Sequence, residues 1–125
     1  MPARKPEEVD GLFAEALNSG NLDVLVALYE PQASLSPQPG KVVTGSQAIR
    51  EALSGLVASR PKMTLKPKSL AVSGEVALAT AQWELSGTGP DGKPVHMAVR
   101  SVEVLRRQPD GIWRFVIDWP ALGIG

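Results

Sequence analysis

The sequence has no cysteine, one histidine, no surplus charge of either sign and no long apolar run, and each absence removes a class of function. Without cysteine there is no disulfide, no thiolate-held metal and no sulfur nucleophile. The one histidine, His96, has no patterned His or carboxylate neighbours, so no metal site is expected. Thirteen basic residues balance thirteen acidic ones. That balance leaves no electrostatic footprint for nucleic acid or for an anionic membrane surface. No apolar stretch approaches the roughly 20 residues that a membrane-spanning helix needs. The opening residues, among them Arg4, Lys5, Glu7 and Glu8, lack the apolar core of a secretory leader, and a cytoplasmic protein is the expectation. There is no phosphate-cradling glycine loop, dinucleotide fingerprint or serine elbow, so no cofactor is expected either.

What remains is an ordinary globular composition, 43% hydrophobic and 21% charged over 125 residues, which fits one domain spanning 1–125. A chain of this length buries roughly two thirds of its unfolded surface, enough for a core and a small pocket.

The first part of the chain carries a helical period. Pro6 suits a first helical position and Glu7, Glu8 and Asp10 place negative charge where the helix dipole favours it. Val9, Leu12, Phe13, Ala16 and Leu17 then form one apolar stripe. Asn18-Ser19-Gly20 ends this helix. Asn21 caps a short second one bearing Leu22, Leu25 and Leu28 and finishing near Tyr29. Short strands are expected over 33–36 and 41–44. Thr44 with Gln47 reads as a capping box for a third helix whose inward face is Ile49, Leu53, Leu56 and Val57.

After Pro61 the period changes to alternation. Strands are expected over 63–72, 75–87, 95–108 and 112–119, joined by the turns Ser73-Gly74, Gly89-Pro90-Asp91-Gly92 and Pro109-Asp110-Gly111. Pro67 puts the first of these at an edge. Three helices followed by a long, strongly curved, mainly antiparallel sheet give an α+β fold, a cone with a mouth.

Five phrases stand along this order of elements: Ala16-Leu17-Asn18-Ser19-Gly20-Asn21-Leu22-Asp23, Leu28-Tyr29, Gly45-Ser46-Gln47-Ala48-Ile49-Arg50-Glu51, Val104-Leu105-Arg106-Arg107 and Asp110-Gly111-Ile112-Trp113. Together they resemble the nuclear transport factor 2-like superfamily, cone-shaped cystatin-like folds that include ketosteroid isomerases and SnoaL-like polyketide cyclases. The phrases are caps, turns and core positions, and so mark fold more than activity. The isomerases' catalytic base matches Pro37, which carries no proton, and their oxyanion-stabilising Tyr matches Phe13, which lacks the hydroxyl. Their third group, a carboxylic acid kept neutral by burial, matches Glu103. The resemblance thus implies a pocket and speaks against steroid enolisation by that mechanism.

The Asp110-Gly111 turn sets a register in which residue numbers sum to about 221, placing Glu103 opposite Asp118 with Cβ atoms roughly 5 Å apart. On a dry face one of the two holds a proton near neutral pH, and the pair supplies an acid and a base. The plainer alternatives are neutralisation by Arg100, Arg107 or Arg114, or a bulge that breaks the register. Hydrophobic patterning alone turns Val102, Val104, Phe115, Ile117 and Trp119 toward the helices and leaves the two acids outside. The resemblance implies the reverse: Glu103, Val116 and Asp118, with Thr80, Gln82 and Glu84, line the cone. The apolar outer face is then covered by a second subunit in a homodimer.

Phe13 by the same match, and Tyr29 near the pocket mouth, complete the expected substrate contacts. Trp83 and Trp119 are either core, interface or stacking surfaces for a planar ligand. His96 is expected on the outer face with Ala98 and Arg100. The function expected is binding of a small organic molecule, with acid–base turnover of isomerase, cyclase, dehydratase or hydrolase type by Glu103 and Asp118. The alternative is a non-catalytic binding or assembly module with a vestigial pocket.

Overall fold

The structure, a computed structural model, describes residues 2–38, 40–89 and 91–121. A 3-10 turn at Pro6–Glu8 leads into α1, Val9–Asn18. The Glu8 carboxylate accepts the free N–H groups of Arg4 (2.9 Å) and Lys5 (3.1 Å), fixing the entry to the helix. Gly20, at φ 72°, supplies the left-handed residue that ends α1. Asn21 then accepts from the Val24 N–H at 3.1 Å and caps α2, Leu22–Ala27.

The second helix stops before Tyr29, which begins β1, Tyr29–Gln38. This strand starts earlier than the sequence suggests, because it lies parallel to β6 and the Phe115 N–H donates to the Leu28 carbonyl at 2.8 Å. After β2, Lys41–Thr44, comes α3, Ser46–Ala58. Its N-cap is Gly45 rather than Thr44, at φ 95°, a conformation that suits glycine. The Thr44 hydroxyl is engaged by Ser34 across the β1–β2 pair (2.8 Å), and Gln47 donates to Glu51 instead (3.2 Å). The expected capping box therefore does not form.

Then follow β3, Lys62–Ser73; β4, Val76–Thr88; β5, Pro94–Arg107; and β6, Trp113–Ala121. The six strands make one sheet in the order β2-β1-β6-β5-β4-β3, antiparallel except for β1 with β6. β3 is an edge strand, and its register shifts between Pro67 and Ser69, as a proline without a ladder donor requires. The helices cover one face, where Phe115, Leu17, Leu25, Ile49, Leu105 and Val9 are fully buried. Among the described residues no helix is long and apolar enough to cross a membrane.

Two features of register decide which side chains the helices see. Directly paired residues share a face. Ala79 pairs with Glu103 and Glu103 with Asp118, and all three are buried; Thr80 pairs with Val102 and Val102 with Trp119, on the opposite side. Thr80, Gln82 and Glu84 therefore lie on the outer face, and their expected place in the pocket is corrected. They alternate with Ala79, Ala81 and Trp83, and no register puts both sets beside Glu103. The second feature is a bulge in β6: Leu105 pairs with Phe115 but Val104 with Ile117, so Val116 is extra. The extra residue resets the alternation. Phe115 and Asp118 both point inward, while Ile117 and Trp119 point out, 42% and 40% exposed.

Candidate active site

A cavity of about 160 Å³ opens between α1, α3 and the inner sheet face. Its walls are mostly apolar: Phe13 from α1; Leu53 and Leu56 from α3; Leu35 and Pro37 from β1; Met63, Trp83, Leu85, Val99 and Phe115 from the sheet. The space is close to the ~150 Å³ that admits a benzene ring. Phe13 stands edge-on to both Trp83 (5.8 Å) and Phe115 (6.2 Å). The Trp83 indole N–H is satisfied by the Ser101 hydroxyl at 2.6 Å, which fixes the ring as a wall. Among the described residues three polar side chains reach the lining: Asp10, Ser101 and Asp118.

Asp118 is the pivot of this group. Tyr29, buried at the start of β1, donates its hydroxyl to Asp118 Oδ2 at 2.5 Å. Tyr29 thus sits behind the pocket wall, not at the mouth with its tip in water. Burial raises the Asp118 carboxyl to about 7; the Tyr29 bond pulls it down and the neighbouring Asp10 pushes it up. Burial also holds the Tyr29 hydroxyl well above its ordinary value, helped by the charge of Asp118, so it remains a donor.

Glu103 lies opposite Asp118 because of the bulge at Val116, since the register beside the turn, Arg107 with Trp113, would set it against Ile117; it is 1% exposed and does not line the cavity. With every acid ionised neither of its oxygens has a donor. Burial, reinforced by Asp10 and Asp118, raises its pKa to about 10, and its proton goes into a hydrogen bond with Asp10. Asp10 is itself shifted upward by burial, a shift opposed by that same bond. Glu103 therefore holds the proton and Asp10 accepts its hydrogen bond, and the member that faces the cavity is Asp10.

The sequence hides Asp10 because an acid in the first turn of a helix already has an explanation in the helix dipole. The available signal is spacing: residues 10, 13 and 17 share a helix face, and Phe13 and Leu17 are buried. Of the other expected contacts, Phe13 lines the cavity, and Val116 is the bulge residue and does not. Trp83 is a pocket wall, Trp119 belongs to the outer face, and His96 is exposed opposite Ser86. Among the described residues no group of three His, Cys, Asp or Glu side chains is arranged to hold a metal ion.

The SnoaL-like domain family matches residues 9–115, from the start of α1 into β6. The chain belongs to that family. Solved structures agree on the fold. A protein from Xanthomonas campestris, provisionally described as a calcium/calmodulin-dependent protein kinase II association domain, is 18% identical with a TM-score of 0.82, over 94% of this chain and 85% of that one. A provisional dehydratase of the NTF2-like family from Streptomyces avermitilis is 20% identical (TM-score 0.78, 95% and 94% covered). A ketosteroid isomerase-like protein from Erwinia carotovora atroseptica is 19% identical (TM-score 0.79, 90% and 88% covered). The fold is thus that of the nuclear transport factor 2-like superfamily. No curated protein matches the sequence. Within the SnoaL-like cone, Pro37 and Phe13, which match the isomerases' base and Tyr, both face the cavity and carry no titratable group.

Two measurements test these electrostatics. From about pH 4.5 to about 10 folded Glu103 keeps a proton that the unfolded chain releases, so stability falls as pH rises, by up to about 1.4 kcal/mol per pH unit. Asp118 adds to the slope below about pH 7. Thermal melts of wild type should decline from pH 5 to 9, and E103Q should flatten the decline above pH 7.5. Equal melting temperatures for wild type across that range would contradict a protonated Glu103. Removing the Tyr29 hydroxyl (Y29F) should raise the Asp118 pKa above about 7, read by carbon NMR of labelled aspartate.

Proposed function

We propose that the chain is a small-molecule enzyme that moves a proton at a carbon or oxygen of a mostly apolar substrate held in the cone cavity. The observation that carries this reading is Asp118, a carboxyl poised near neutrality in an otherwise apolar chamber. A group with that pKa is about half ionised at physiological pH and works as a general base. Asp10 faces the same space and, as it gives a proton to the substrate, is resupplied by the Glu103 proton hydrogen-bonded to it, so that the pair serves as the acid. Proton removal by one carboxyl and protonation or hydrogen bonding of a substrate oxygen by the other is the chemistry of isomerisation and dehydration. Glu103 acts as a positioning residue, setting the charge on Asp10 and Asp118 from behind. The missing counterparts of the isomerase base and Tyr separate this arrangement from steroid enolisation, as does a chamber sized for one ring.

The most direct test uses a six-membered ring ketone. Cyclohexanone in deuterated water should exchange its α-hydrogens faster with the protein than in buffer, the rate rising through an apparent pKa near 7. D118N should lower the rate by about 10²-fold or more. Binding without exchange would support instead a non-catalytic binding module, a reading favoured by the association domain among the structural relatives.

The outer sheet face supports a homodimer. Leu78, Val102, Ile117 and Trp119 form an apolar patch there, each 39–47% exposed. Sedimentation of wild type should give twice the chain mass, and the double variant V102K/W119K a single chain mass with an unchanged circular dichroism spectrum. A monomeric wild type would remove the dimer.

A further inference from the structure

The cavity described above shares a wall with a larger groove of about 440 Å³ that opens at the surface. The groove runs between the last turn of α3 (Leu56, Ala58, Ser59), Pro61, and the far ends of β4 and β5 (Val95, Met97). Leu56, Leu85 and Met97 line both spaces. Among the described residues, the side chains common to both spaces are thus all apolar.

We infer that the groove is the second half of the binding site and takes a linear hydrocarbon tail, so that the substrate is an elongated amphiphile with its polar, reactive end in the inner chamber. The inference rests on reading the inner chamber as a ligand pocket. The chemistry of the walls selects such a ligand: among the described residues no acid or base lines the groove, whose polar side chains are the hydroxyls of Ser59 and Thr88, whereas Asp10 and Asp118 line the chamber. Val95 and Met97 stand 43% and 40% exposed, and a tail lying in the groove would cover them. The groove is also preformed. The Thr88 N–H donates to the Ser59 carbonyl at 3.3 Å, and a Cβ on Gly87 would come within 3.2 Å of the same oxygen, so backbone rests on backbone at its floor. The Gly89 N–H to Lys93 carbonyl bond (2.8 Å) closes the β4–β5 turn beside it. A fixed floor costs a flexible tail less to occupy than a surface that must first order.

Calorimetric titration of the full chain with cyclohexanol and with straight-chain primary alcohols from butanol to decanol separates the two spaces. Cyclohexanol should bind through the inner chamber alone. Among the linear alcohols each methylene beyond the chamber should tighten binding about fourfold, the value of one buried CH₂. Ala58→Trp and Val95→Trp, both at exposed positions on the groove wall, should abolish the chain-length dependence and leave cyclohexanol affinity unchanged. Cyclohexanol binding with flat affinity along the alcohol series would overturn the tail site and leave the chamber standing. So would persistence of the length dependence in both variants. Failure of cyclohexanol and every linear alcohol to bind would overturn the chamber, and the groove with it.

Discussion

The extra residue in β6 governs the rest of the structure. Uninterrupted alternation from Phe115, which anchors the core, would carry Ile117 and Trp119 inward and turn Asp118 to the outside. With Val116 bulged, Phe115 fills the core, Asp118 reaches the cavity, and the two large apolar side chains face out. The same shift brings Asp118 opposite Glu103, which the register beside the turn would have paired with Ile117. Bulges beside active sites commonly re-aim one side chain in this way.

Placing three carboxyls together away from water is costly, and the chain reduces the cost by keeping protons. Glu103 remains neutral, Asp10 accepts its hydrogen bond, and Asp118 is steadied by the Tyr29 hydroxyl. Ion pairs are spent elsewhere: Arg106 binds Glu30, Arg107 binds Glu75 and Arg50 binds Asp23, all toward the surface. None of these guanidinium groups neutralises the inner acids. That division leaves the cavity lined by two carboxyls and, among the described residues, by no cationic side chain.

Most of the fold is legible in the sequence because it rests on local signals. Turn glycines, the Asn21 cap, the apolar stripe of α1 and the alternation of β4 each act over a few residues, and the observed elements start and stop close to them. The Glu103 and Asp118 pairing is legible only to within a residue, because the turn sets the register beside it and the bulge at Val116, which no local signal announces, shifts it by one to bring the acids opposite. The pocket is less so. The family resemblance sends Thr80, Gln82 and Glu84 into the cone beside Glu103; the pairing of β4 with β5 puts them outside. Asp10 and Tyr29 become site residues through contacts 93 and 89 positions away along the chain, with Glu103 and Asp118 respectively, and no local pattern encodes such distances.

The edge strand β3 bears on how molecules of this protein meet. Lys62, Lys66 and Lys68 are exposed along it, and Pro67 interrupts its ladder. Charged, kinked rims resist the addition of a further strand. Copies of the chain are thereby discouraged from adding to the sheet along this rim, the open-ended growth that leads to fibres.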